Sequence, residues 1–343
     1  MMRAFRNVYF TIGFIIAAGL LLASFLYSYW LKDIIPQPPK QIYNEAGRLV
    51  DVPPYPPSWA HPFGVDRQGE DVFWKVIDGA KYTIFTALAV SLLRLAFGTV
   101  GGIMYAFYLQ KFRFIAESIV RAFRFVPAIF LTMLFFAFIP LEEQGAGMGV
   151  LIKQLLVLAA VALPPLMLVI GNDIAVFLQN EFVVSSRLMG ADNVWLIRKH
   201  VLPYMRPRLF LLFTQQTVQS LLLLVHLGAF QILLGGVKVI YDSDGLGPPE
   251  KVAFSLSNEW SGLIGLSYRE MMLDQWIVVG PCVAFIVAIF AFKLMGKGLE
   301  QVIAGKGKRK QRKKQRSSWG KTASFPPQQG DFEFVLYNSH FAP

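Results

Sequence analysis

Ser185-Ser186-Arg187-Leu188-Met189-Gly190, followed after nine residues by His200-Val201-Leu202-Pro203, forms a polar, amphipathic insert between two apolar blocks, 150–178 and 209–234. Glu181 to Met189 has the length of one or two helical turns. Gly190 gives the chain the backbone freedom to turn. Asp192 or Asn193 can then cap a second short helix that ends near His200, with Pro203 expected to stop it. Arg187, Arg198 and Lys199 supply a basic face, and Met189, Val194, Trp195 and Ile197 an apolar one. Such a segment fits a groove on a soluble partner or lies on lipid. The residues alone leave both open.

The blocks around this insert set the fold class. The chain has 343 residues, 55% hydrophobic and 16% charged, against about 25% charged in soluble domains. Apolar runs of about 18 residues or more read as transmembrane helices. Six are present: 8–30, 82–109, 118–140, 150–170, 209–234 and 275–296. The third begins with Arg121 and Arg124 and then meets Pro127, so its start reads as an interfacial segment whose basic side chains snorkel. The first is longer than the roughly 7–15 residues of a signal-peptide core and closes on bulky Tyr27-Ser28-Tyr29-Trp30, so it reads as a retained helix.

Charge then sets orientation. With the N-terminus inside, the inner segments hold 22 Lys/Arg against 7 Asp/Glu, and the outer segments 9 against 15. This is a positive-inside pattern, and it accounts for the net charge of +11 without nucleic acid. The expectation is an all-α membrane protein with six transmembrane helices and both termini cytoplasmic. The 181–205 insert then faces the cytoplasm between helices 4 and 5.

Catalytic and metal chemistry find no support. Cys282 is the only cysteine, and the four histidines are far apart in sequence. No G-x-x-x-x-G-K-[ST] phosphate loop follows Gly145-Ala146-Gly147-Met148-Gly149, and no G-x-S-x-G elbow occurs. The acidic run Asp242-Ser243-Asp244-Gly245 lacks calcium-loop spacing. The chain is therefore read as no enzyme, with no cofactor of its own. Moving a solute uphill would need a coupled ion or a partner. The basic run Lys306–Arg316 reads as an anchor to anionic membrane lipid, in a tail, 298–343, expected to be disordered.

Polar residues inside spans are the pathway candidates. Gln215, Gln219 and His226 fall close to one face of the fifth span, where they line a pore or bond to neighbouring helices. Arg94 lies mid-span and needs a partner or water. A structural pair is the favoured reading, with contact to a peptide carboxylate as the alternative.

Four segments together carry a family resemblance. Gly190, nine residues and His200-Val201-Leu202-Pro203 resemble the coupling motif of ABC importer permeases. His61-Pro62-Phe63-Gly64-Val65-Asp66-Arg67-Gln68-Gly69-Glu70-Asp71-Val72 with Gly79-Ala80-Lys81, then Asn258-Glu259-Trp260-Ser261-Gly262, then Gly296-Lys297-Gly298-Leu299 are similar to segments of the C-type dipeptide/oligopeptide permeases, in the same order. Val184 stands where the motif has its acid, Ser185 and Ser186 where it has alanines, and Glu70 where the family has arginine.

The apolar runs and charge pattern give the organisation that follows, and the resemblance implies the roles. Residues 1–30 form a first transmembrane helix and 31–81 a Pro-rich external loop. Residues 82–297 form a permease core of five helices, with a coupling loop at 179–205 and an external loop at 235–274. The permease would form half of a pathway for di- or oligopeptides, nickel chelates or another solute. Its partners would be a second permease subunit, two ATPase subunits that hold ATP and Mg, an external solute-binding protein and membrane lipid. Arg187, Leu188, Met189, Gly190, Trp195, His200, Leu202 and Pro203 would touch the ATPase. A self-sufficient secondary transporter or channel is the competing class. It would more often carry acidic residues inside its spans.

Overall fold

The computed structural model describes residues 4–39, 42–43, 49–138, 148–234, 237–242, 250–255 and 258–322. They divide into a body up to Leu299 and a separate unit from Glu300. The Gly145–Gly147 run, the centre of the acidic loop at 243–249 and the tail from 323 onward lie outside the described residues.

Helix α1 (Val8–Leu26) is uncharged throughout. The Asn7 side chain caps it by accepting from the Tyr9 and Phe10 N–H groups. A π-helical turn, Tyr27–Leu31, finishes it, and there Tyr27 stacks on Trp74 at 5.0 Å. Exposed Tyr29 and Trp30 follow, as suits the aromatic belt of a membrane interface.

Helix α2 (Val72–Tyr108) has 37 residues. At 1.5 Å per residue it is about 55 Å long, well beyond the ~30 Å hydrocarbon layer. Its first turns therefore stand outside the layer, and the Pro- and Gly-rich 53–71 segment is built onto them. Asp71 caps the helix at Phe73 N and also holds His61 Nδ1 at 2.7 Å. Lys75 pairs with Asp66 and Glu70, and Arg67 with Glu270.

Two of the six expected spans are not straight. After a 3₁₀ turn (Gln110–Phe112) come α3 (Arg113–Phe125) and α4 (Ala128–Phe136), bent by 86°. Pro127 has no N–H to continue the helical ladder. Helix α3 keeps Arg113, Glu117 and Arg121 on one side, joined by ion pairs, and exposes Ile115, Ile119 and Phe123 on the other. This agrees with an interfacial start rather than a through-going span. Helices α5 (Met148–Val161) and α6 (Leu163–Leu178) meet at 50°, at Pro164-Pro165. Among the described residues four helices are long and apolar enough to cross a membrane, and six spans result if each bent pair counts as one.

Next come α7 (Glu181–Leu188), α8 (Asn193–Leu196), a π-helical turn (Ile197–Val201) and α9 (Leu202–Ala229). The short α10 (Trp260–Leu266) and then α11 (Trp276–Thr322) complete the helices. Helix α11 continues to Thr322, so the first part of the tail expected to be disordered is helical.

The all-α expectation also misses two antiparallel hairpins. One pairs β1 (Ile42–Tyr43) with β2 (Leu49–Asp51), the other β3 (Val237–Asp242) with β4 (Glu250–Ser255). Both lie in segments read as irregular external loops. Val237-Lys238-Val239-Ile240-Tyr241 is rich in the β-branched and aromatic residues that favour strands.

The core binds α1, α2, α9, α10 and α11 around Ile84, Leu221, Leu224, Trp260, Phe285 and Ala288, all nearly inaccessible. Trp260 is its hub. The backbone N–H donates to Thr83 Oγ1 at 2.9 Å, the indole N–H to the Val76 carbonyl at 2.7 Å, and the ring meets Phe285 edge-on at 5.2 Å. Gly79 makes this seat possible, because a Cβ there would lie 1.9 Å from the Asn258 carbonyl oxygen. Gly79→Ala is therefore expected to destabilise the body by about 1–3 kcal/mol through overpacking. The thermal midpoint of the purified protein in detergent reads this out. Gly19→Ala, with open space around it, should leave the midpoint unchanged.

Candidate functional site

The 181–205 insert folds as a hairpin with a buried root and a bare tip. Helix α7 ends at Gly190, whose φ of +92° is strained for any other L residue. The Asp192 side chain accepts from Trp195 N at 3.1 Å and starts α8. Val183, Leu196, Val201 and Met205 are each at most 1% exposed. They pack with Ile170, Ile174 and Phe177 of α6 and with Leu212 of α9. Phe177 stacks on Tyr204 at 4.0 Å, and the His200 ring sits between Phe182 and Trp195 at 5.7 and 5.1 Å. Arg208 Nε reaches Asp173 at 2.9 Å and ties the base of α9 to α6.

Pro203 does not stop a helix, contrary to expectation. It occupies the first turn of α9, and α8, the π-turn and α9 run on continuously. Proline is tolerated in a first turn because its missing N–H needs no partner there. The π-turn absorbs the register change, with Leu202 N bonding the Ile197 carbonyl.

The expected contact residues therefore divide. Leu188 and Met189 are 84% and 81% exposed, and Arg187, Gly190, Trp195 and Pro203 are also exposed. His200 and Leu202 are partly buried, and His200 holds the hairpin together from inside. Two large apolar side chains beside a cation, on a tip braced by a rigid root, make a surface suited to a partner's groove.

A second feature lies within the spans. Gln215, Gln219, Leu222 and His226 are exposed on one side of α9, whereas Gln216, Thr217 and Ser220 are buried on the other. Gln219, Leu222, Leu223 and His226 border a cavity of about 280 Å³ together with Arg94, Pro127, Ala128, Ile129 and Ala162. Gln215 is not among its lining residues. Arg94 is 2% exposed. Its Nε and Nη2 donate to the Leu158 carbonyl at 3.2 and 2.7 Å, and its Nη1 to Gln216 Oε1 at 3.4 Å. The carbonyl is available because α5 breaks there. Ala162 N–H, which would bond Leu158 in an unbroken helix, bonds Ala159 instead at 3.4 Å. Sequence reading found Arg94 but missed this partner, although Pro164-Pro165 marked the break.

Two of the separated motifs meet near the start of α2. Asn258 Nδ2 donates to Asp78 Oδ2 at 3.3 Å, Ser24 Oγ to the Asp78 carbonyl at 2.8 Å, and Leu234 N to Glu259 Oε1 at 2.9 Å. The third motif is elsewhere: Gly298 packs on Phe10, near the start of α1 and 14 residues before Ser24. Glu259 is 3% exposed, and sequence reading did not single it out as functional. Burial pushes its carboxyl up to about 7, from an ordinary value of 4.5, although the Leu234 N–H favours the ionised form.

Similarity to known proteins follows the same outline. Residues 98–232 match the family described as binding-protein-dependent transport system inner membrane component. A Brucella abortus protein named "Putative peptide permease protein" is 27% identical over 300 residues, 87% of each chain. The glutathione transport system permease protein of Pectobacterium atrosepticum is 22% identical over 289 residues, 84% of this chain and 85% of its own.

The Glu259 carboxyl generates a pH prediction. Its folded-state value lies above the unfolded one, so the folded protein holds the extra proton between about 4.5 and 7. Stability should fall as pH rises through that window and then level off, by about 3 kcal/mol at most. Thermal midpoints from about pH 5 to 8 should show this decline. Glu259→Gln should flatten it, and an equally steep decline in that variant would count against the assignment.

Proposed function

We propose that this chain, an inner membrane component of a binding-protein-dependent transport system, is the permease subunit of an ABC importer for di- or oligopeptides. In this reading the 181–205 hairpin is the surface that the ATPase grips. The observation that carries it is the contrast between the hairpin's buried root and its bare Leu188–Met189 tip. A tip that transmits force must be seated firmly at its base and free at its end. The buried Val183, Leu196, Val201 and Met205 supply the seat, and the fixed turn at Gly190 presents the tip.

The surplus of Lys and Arg in the hairpin and flanking segments supports a cytoplasmic position for this end. ATP is hydrolysed on separate ATPase subunits. Movement of the hairpin shifts α6 and α9, to which its root is packed. That motion exposes the pathway alternately to either side as a rigid-body step. A second permease subunit would complete the pathway against the exposed side of α9. The solute-binding protein would meet the opposite end, where the 53–71 segment and the two hairpins lie. Peptide is the favoured cargo because the similar Brucella protein is named as a peptide permease.

Met189→Asp places a charge on the apolar tip without touching its root. ATP-dependent peptide uptake is expected to fall roughly tenfold or more, the loss typical of a spoiled interface anchor. The protein's amount in the membrane should stay the same. Unchanged uptake would remove the hairpin from the coupling path.

A further inference from the structure

The cavity beside Arg94 has a feature that packing does not explain. Arg94 lies roughly 18 Å along α2 from residue 82, where the apolar run begins, near the middle of a ~30 Å hydrocarbon layer. It is 2% exposed. Its hydrogen bonds go to a carbonyl on α5 and to a side-chain amide on α9. Both partners are neutral. Among the described residues no carboxylate forms an ion pair with it, while Asp66, Glu70, Asp78, Glu117, Asp173 and Glu270 are each paired with a Lys or Arg, and Asp71 is bonded to His61.

A buried charge is costly unless it is both hydrogen-bonded and paired. The Leu158 carbonyl satisfies the geometry of two N–H groups but leaves the charge uncompensated. A strut for the broken α5 would need only a neutral donor such as a glutamine. The cation therefore calls for an anion that the described residues do not provide, and Arg94 borders the cavity. The cavity also carries Gln219 and His226 as further hydrogen-bonding groups, against apolar walls of Pro127, Ala128, Ile129, Leu222 and Leu223. Its volume of about 280 Å³ is at the lower end of small-ligand sites, ~300–1,000 Å³. It suits one end of a short peptide rather than the whole.

We infer that this cavity is a transient site for the carboxylate of the transported solute, with Arg94 as the charge partner and Gln219 and His226 as flanking hydrogen-bonding groups. The inference rests on the importer reading above and adds the solute's chemical class: a small molecule bearing a free carboxylate, such as a peptide with an unblocked C-terminus. A planar guanidinium matches a carboxylate by paired N–H bonds.

The test uses cells whose only peptide importer contains this chain with its own partner subunits. Uptake of trialanine and of its C-terminal amide is measured for the wild type, Arg94→Lys and Arg94→Gln, normalised to the permease in the membrane. The binding protein is the same in all three, so its own preference cancels. Arg94→Gln is expected to lower trialanine uptake roughly tenfold or more relative to the amide. Arg94→Lys, which keeps the charge, should retain most of it. Equal uptake by the Lys and Gln variants, at whatever level, or a trialanine-to-amide ratio unchanged by Arg94→Gln would overturn the inference and leave Arg94 as a strut. ATP depletion separates the two proposals. Wild-type uptake that survives it would defeat the importer reading, while the Lys/Gln comparison still judges the site.

Discussion

A backbone N–H or C=O facing hydrocarbon without a partner costs several kcal/mol, and the breaks in this bundle are organised by that constraint. At three helix breaks or starts another group takes a backbone partner. At Pro164-Pro165 the Leu158 carbonyl, no longer bonded by Ala162, is taken by Arg94. At the start of α9 a π-turn shifts the ladder, and Leu202 N bonds the Ile197 carbonyl just before Pro203. Where α10 begins, Thr83 accepts the Trp260 N–H. The helices can therefore bend without exposing bare backbone to lipid.

These bends create the features a transporter needs. The break at α5–α6 opens space beside α9 and puts a cation at its edge. The turn at Gly190 sets a stiff hairpin on the same two helices, α6 and α9, that frame the cavity's neighbourhood. One pair of helices thus packs against both the exposed hairpin and the neighbourhood of the cavity. In the proposed reading, a push on the hairpin would reach the cavity through these packed side chains.

Much of this was legible in the chain. The uncharged run from Val8 and the apolar blocks before 178 and after 209 located the membrane helices, because length and lack of charge suffice for that. Gly190 and Asp192 marked the hairpin, since a positive φ and an N-cap each demand particular residues. The two β-hairpins were not visible, because strands of two to six residues carry little periodic signal among prolines and glycines. The 86° bend at Pro127 was only half-read: Arg121 and Arg124 flagged an interfacial start, but the bend itself depends on packing. Pro203 was misread, because proline signals a stop or a start alike until the register of the preceding turn is known. The partners of Arg94, Trp260 and Glu259 were beyond reach, since each lies more than 20 residues away in the chain and no local pattern reports such contacts.

Cross-linking from the hairpin tip tests the central claim most directly. With Cys282 replaced by serine, the chain has no cysteine, so a Met189→Cys substitution carries the sole reactive thiol. In native membranes a thiol cross-linker should join position 189 to the ATPase subunit of the same transporter, with a yield that changes when ATP binds. A thiol placed at Trp59, fully exposed at the other end, should give no such product. Failure of position 189 to reach the ATPase, or its labelling by a membrane-impermeant reagent added outside intact cells, would contradict the account.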